Sequence, residues 1–328
     1  MKALRWSALA GAVAVYVMIV FGALVRSTNS GLSCPDWPTC YGYWLLTPET
    51  FAALGETGYS YTQVMLEWGH RAFAAFIIGP IILAVVVFAF RARQDNARLP
   101  RFAILLAVLL LIQAKLGGVT VLDQNSPWSV ALHLSTALLI LSVLLLIAER
   151  ARAQAPSLVS PAGGGLRRLA GAVWLGALVT MASAAMTAKS GASLACYTWP
   201  DCNGAWLPPL DDWLTTIHVA HRTLAGLTAL GVLILMTLVL RAAALPPDTR
   251  PLAIAAAILI IGQVLLGGLV IVLHVPIWAG VAHQALGVAT FIVLTTLMWR
   301  LCAARPLRPG QHDNRENEAV GNPRLQSA

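Results

Sequence analysis

Glu67, His70 and Arg71 fall within the stretch "EWGHR", directly before an apolar segment. A carboxylate, an imidazole and a guanidinium at such a place are costly unless they are paired, hydrated or bound to something. Glu67 precedes His70 by one helical turn, so the two project from similar faces. A His-Arg step recurs at His221 and Arg222. Two further histidines, His133 and His283, each follow a Gln-x-x-x-Gly-Gly run, "QAKLGG" and "QVLLGG". His70 and His133 are 63 residues apart, and His221 and His283 are 62 apart.

Two imidazoles at matching depth on facing helices are the donor set of a six-coordinate haem, one ring nitrogen binding the iron on each side. A single intramembrane histidine is as readily explained by a hydroxyl or carbonyl partner, but two equivalent pairs are not. Zinc is the weaker metal reading, because there is no His-x-x-x-His and the cysteines lie in loops. Arg71 and Arg222 then suit haem propionates near the water boundary, where arginine is a forked and permanent cation. The plainer reading is an arginine that snorkels to water. The residue one turn before His221 is His218, so the carboxylate of Glu67 has no counterpart in the second pair. A site that does chemistry can use a carboxylate to take a proton or to stabilise positive charge. Lys115 is likewise unmatched, with Val264 in its place; it either compensates Glu67 or faces water.

Cys34 and Cys40 enclose "PDWPT", and Cys196 and Cys202 enclose "YTWPD". Each pair has the spacing to close a small disulfide loop. A staple and a redox role both remain open at this point. Cys302 is unpaired and incidental.

The elements that must carry these residues are membrane helices. The chain has 328 residues, 58% hydrophobic and 11% charged, with mean hydropathy +0.73. Soluble proteins carry about a quarter charged residues. Apolar blocks near the bilayer-spanning length of about 20 residues occur at 7–25, 69–90, 102–121, 130–148, 169–187, 216–240, 252–273 and 280–300. The predicted fold is an all-α integral membrane protein with eight transmembrane helices, arranged as two parallel four-helix bundle repeats. Small residues such as "GALV" and "LGG" suit close helix packing. The first span has a basic start like a signal peptide, but no small-x-small cleavage site follows it, so it is read as retained.

The net charge of +8 does not indicate nucleic acid, because of where it sits. Lys2, Arg5, Arg91, Arg93, Arg98, Arg101, Arg150, Arg152, Arg167, Arg168, Arg241, Arg250, Arg300, Arg305, Arg308, Arg315 and Arg324 all fall on one side of alternating spans. The other side holds little beyond Arg26 and Lys189. The positive-inside rule makes both termini cytoplasmic. The repeat divides the chain into a half at 1–150, a linker at 151–168 containing "SPAGGG", a half at 169–300 and a polar tail at 301–328.

Glu-x-x-His-Arg at 67–71, the partner His133, the pair His221 and His283, and the Cys-x5-Cys loops together resemble the haem A synthase family over residues 1–300. The resemblance implies oxidation of the C8 methyl of haem O to a formyl by successive hydroxylations, with water as the oxygen source. It implies that His70 and His133 hold substrate haem O, and that His221 and His283 hold haem b as cofactor. Glu67 matches the family's catalytic glutamate. Cys34 and Cys40 match a pair implicated in catalysis or haem transfer, while the second pair occurs in only some members. Haem O synthase, oxidase assembly factors and the lipid membrane are the partners it implies, and self-association is left open. Three other classes compete. A dihaem electron-transfer cytochrome b explains the histidines but not Glu67 opposite His218. A membrane thiol–disulfide oxidoreductase explains the cysteines but leaves the histidines idle. A repeat-built transporter would place its polar groups at mid-membrane rather than at one end.

Overall fold

The computed structural model describes residues 1–152, 163–242, 245–246 and 248–303. The expected linker and polar tail therefore lie largely outside the described residues. Ten α-helices are present among them: α1 (Lys2–Ser27), α2 (Pro48–Ala53), α3 (Tyr61–Phe73), α4 (Gly79–Arg91), α5 (Leu99–Leu122), α6 (Pro127–Arg150), α7 (Gly164–Lys189), α8 (Trp213–Arg241), α9 (Thr249–Val272) and α10 (Ile277–Ala303). No β-strand occurs among the described residues; there are single bridges at Cys40–Tyr43 and Cys202–Ala205. Among the described residues eight helical stretches are long and apolar enough to cross a membrane, with α3 and α4 forming one continuous span. The protein is an all-α, multi-pass membrane protein.

Helix starts are set by local chemistry. Ser60 opens α3 with a reciprocal cap: its Oγ accepts from the Gln63 amide, and Gln63 Oε1 accepts from the Ser60 amide at 3.0 Å. Asp212 opens α8 by accepting the Thr215 amide at 2.8 Å. Ser126 caps α6, whose first residue is Pro127. Between α3 and α4 the chain makes a π-turn at Ala74–Ile78. Pro80 has no N–H to give the Phe76 carbonyl, and its ring needs room on that side. A wider turn supplies the room. The corresponding stretch of α8 has Gly231 but no proline and runs on as α-helix.

In the first half α1 packs on α4, α4 on α5, α5 on α6 and α6 back on α1. In the second half α7, α8, α9 and α10 close an equivalent ring. The rings join through α6–α7, α1–α10 and α6–α10. This junction explains why α6 and α10 are the most enclosed spans after folding. One core of Leu, Ile, Val and Ala runs through both halves, with Phe291, Leu141, Leu144 and Leu297 almost wholly buried. At the arginine-rich end the halves are also tied by charge. Arg300 pairs with Glu149 at 2.7 Å and with Asp248, and Arg152 pairs with Asp248 at 2.8 Å.

Candidate haem-binding centres under the cysteine loops

Glu67, His70 and Arg71 lie well inside α3, about two to three turns from its start at Tyr61. The span begins earlier than hydropathy predicts, because its first turns carry polar residues. Glu67 is buried, and each of its carboxylate oxygens has a partner. Its Oε2 accepts from Ser33 Oγ at 3.1 Å and from the Cys34 amide at 2.9 Å, and its Oε1 pairs with Arg71 at 2.7 Å. Arg71 also donates to three carbonyls of the cysteine loop: Asp36 and Thr39 at 2.6 Å each, and Cys34 at 3.1 Å. Arg222 does the same in the second half, reaching Asp201 at 2.6 Å, Thr198 at 2.8 Å and Cys196 at 3.1 Å. Both arginines thus hold a loop above the helix bundle. Arg71 divides its terminal N–H groups between Glu67 and the loop, and Arg222 gives three of its own to loop carbonyls, a pairing with backbone that residue spacing could not reveal.

His218 takes the place of Glu67. It is buried, with Nδ1 2.8 Å from the Ala192 carbonyl, to which it donates, and with the Cys196 amide nitrogen 3.4 Å away. Glu67 and His218 therefore both reach the first cysteine of their loop. Lys115 is exposed and is in no ion pair among the described residues; the counter-ion of Glu67 is Arg71.

Cys34–Cys40 and Cys196–Cys202 are disulfides. Trp37–Pro38 and Trp199–Pro200 are cis in these loops. Asp36 ties its loop by accepting from Thr39 Oγ1, from the Tyr41 amide at 2.5 Å and from the Gly42 amide at 3.0 Å. Burial would raise the Asp36 carboxyl above the ordinary value, but these hydrogen bonds outweigh it and hold the group below. Asp201 is likewise held low by Thr198 and the Gly204 amide.

The Gln-x-x-x-Gly-Gly runs are explained by what touches them. Gln113 Nε2 lies 3.2 Å from His133 Nε2, and Gln263 Nε2 lies 3.4 Å from His283 Nε2. The first glycine lies under the same imidazole. A Cβ on Gly117 would stand 3.5 Å from His133 Cε1, and one on Gly267 would stand 2.9 Å from His283 Cε1. The second glycine receives the loop tryptophan: a Cβ on Gly118 would be 3.3 Å from Trp37, and one on Gly268 would be 2.6 Å from Trp199. One motif therefore seats both a histidine and the loop above it. Gly22 of α1 performs the same service for His70, whose Cε1 would be 3.1 Å from an added Cβ. Phe21 meets the His70 ring edge-on at 5.6 Å.

His70 and His133 lie within electrostatic reach of each other, as do His221 and His283. The Nδ1 atoms of His70, His133 and His283 are sealed from solvent without a partner. His221 differs. Ser183 Oγ donates to the Thr180 carbonyl at 2.8 Å, so it accepts from His221 Nδ1 at 2.9 Å. That bond puts the ring proton on Nδ1 and leaves the Nε2 lone pair free for a metal. Each centre thus offers two neutral nitrogen donors and no anionic ligand, a donor set that fits haem iron.

The sequence profile described as "Cytochrome oxidase assembly protein" matches residues 5–295. The chain belongs to this family. A protein named heme A synthase from Symbiobacterium thermophilum is 32% identical to it over 241 residues, covering 71% of this chain and 74% of that one. One of the same name from Methylorubrum populi is 29% identical over 326 residues, covering 87% and 83%. A third, from Geobacillus kaustophilus, is 24% identical over 326 residues, covering 95% and 96%. In this chain, residue spacing pointed to the histidines but not to what Gln113, Gln263, Ser183 and the glycines beneath the rings do. The repeated Gln-x-x-x-Gly-Gly was the available signal for most of them. Ser183 had none.

Proposed function

We propose that this protein is a haem A synthase that oxidises the C8 methyl of haem O to a formyl, supplying haem A for terminal oxidase assembly. The observation that carries this reading is the pair of two-imidazole centres, each seated on glycine beneath a disulfide loop. The family membership and the names of the relatives support it.

In this reading His70 and His133 hold substrate haem O, and His221 and His283 hold a resident haem b. The Ser183 bond favours that assignment, because an oriented imidazole suits a permanent ligand. Haem b supplies one-electron redox chemistry at the second centre. Glu67 serves the first centre. Its Oε1 has a single partner, Arg71, and keeps a lone pair for a proton leaving the oxidised carbon. Arg71 holds the Glu67 carboxylate in place through their ion pair. Arg71 and Arg222 act on the haem edge through the loops that they hold. The loops stand on the periplasmic side, with both termini cytoplasmic, and the two halves are parallel repeats joined by the linker at 151–168. Haem O synthase and oxidase assembly factors are the expected partners.

The test is co-expression with a source of haem O, followed by mass spectrometry of extracted haems. Haem A should accumulate with the native chain and not with Glu67→Ala, which should still bind haem. Unchanged haem O beside the native chain would refute the activity, and normal haem A from Glu67→Ala would refute the role of that carboxylate. His221→Ala should lose the resident b-type spectrum; an intact spectrum would reverse the assignment of the halves.

A further inference from the structure

We propose that Arg26 and Lys189 form a receptor for the two carboxylates of the porphyrin held at His221 and His283, anchoring that group while the other centre lets its own go. The proposal rests on the haem reading above.

Arg26 ends α1, in the first half, yet it works in the second. Its Nη2 donates to Gln284 Oε1 at 3.4 Å, and Gln284 is the residue after His283. Gln284 Nε2 in turn donates to the Ile19 carbonyl of α1 at 3.2 Å, which clamps α1 to α10 beside the imidazole. Arg26 lies within electrostatic reach of His283 and of Lys189, the last residue of α7. Both cations are half-buried. Among the described residues neither forms an ion pair, and the Lys189 ammonium makes no hydrogen bond. Two like charges held together away from bulk water are unfavourable unless an anion joins them. A porphyrin ligated by His283 would bring two carboxylates to this end of the bundle. Arg222 already spends three N–H groups on loop carbonyls, whereas Arg26 spends one, on Gln284, and Lys189 none.

The first half lacks the arrangement. The position matching Gln284 is Leu134. Counted back from the cysteine loop, Ala188 matches Arg26 and Ser27 matches Lys189. A cofactor must stay and a substrate must leave, and the cations stand at the centre assigned to the cofactor.

The experiment uses purified full-length protein loaded with haem b or with its dimethyl ester, which lacks both carboxylate charges. Transfer of each to excess apomyoglobin is followed in native protein, Arg26→Gln/Lys189→Gln and Arg26→Lys. Native protein should release the ester at least about tenfold faster than the free acid, the worth of one charge-assisted hydrogen bond. The double variant should release both at the faster rate, and Arg26→Lys should keep most of the discrimination. Native protein that fails to distinguish ester from acid would overturn the proposal without any variant. So would a double variant that still distinguishes them. A His221→Ala control that holds haem b as the native protein does would instead refute the histidine centre beneath the proposal.

Discussion

Gly267→Ala isolates the contact on which the second centre depends. An unstrained carbon–carbon contact needs about 3.5–4.0 Å. The added Cβ would stand 2.9 Å from His283 Cε1, short by roughly 0.6 Å or more. Neither partner yields cheaply. Gly267 is in the interior of α9, and Gly268 beside it is already closed by Trp199. The imidazole must therefore rotate, which carries Nε2 off its axis and away from Gln263. Overpacking of this kind costs about 1–3 kcal/mol, or about 5- to 150-fold in affinity for a haem held by that nitrogen. Glycine to alanine inside a helix would otherwise stabilise by about 1 kcal/mol, so a loss cannot come from the helix itself. The matching change, Gly117→Ala, puts its Cβ 3.5 Å from His133, an ordinary contact, and should leave haem O binding nearly unchanged. The assay is haem b content per protein by pyridine haemochromogen, with the rate of transfer to apomyoglobin. Gly267→Ala with native haem content and transfer rate would show that His283 is not held against that glycine.

Glu67→Ala strips Arg71, Ser33 Oγ and the Cys34 amide of their shared acceptor; breaking a buried ion pair costs about 3–5 kcal/mol, so its thermal midpoint in detergent should fall well below that of Lys115→Ala, an exposed control. Ser183→Ala frees His221 Nδ1; redox titration should give a more positive haem b midpoint potential, because a less electron-rich imidazole favours the reduced iron, and an unchanged potential would contradict the tautomer assigned here. Because Asp36 is held below the ordinary carboxylate value of 3.8, it contributes full stability to its loop above pH about 4, and that contribution is lost as pH falls through the lowered folded value. Trp37 fluorescence should report loop opening only below that pH, and Asp36→Asn should remove the transition; an opening midpoint at neutral pH would assign it to another group.

The sequence by itself determined the membrane class, because eight apolar runs can be placed stably only in lipid, and each run reads locally. It also singled out the histidines, the loops and the Gln-x-x-x-Gly-Gly runs, because the second half repeats those of the first. Its boundaries were less exact: α3 begins at Tyr61, since a helix rising out of the bilayer carries polar turns that hydropathy discounts. Partners were decided by tertiary structure. Arg71 and Arg222 reach loop carbonyls some thirty residues away in the chain, and Arg26 reaches Gln284 across the whole protein. A guanidinium satisfies itself with whatever acceptors folding brings near, and backbone carbonyls are identical at every residue, so no spacing in the chain announces them. The glycines beneath the imidazoles were visible as letters, but what each one admits depends on the approach of two helices, a distance that only the packed bundle sets.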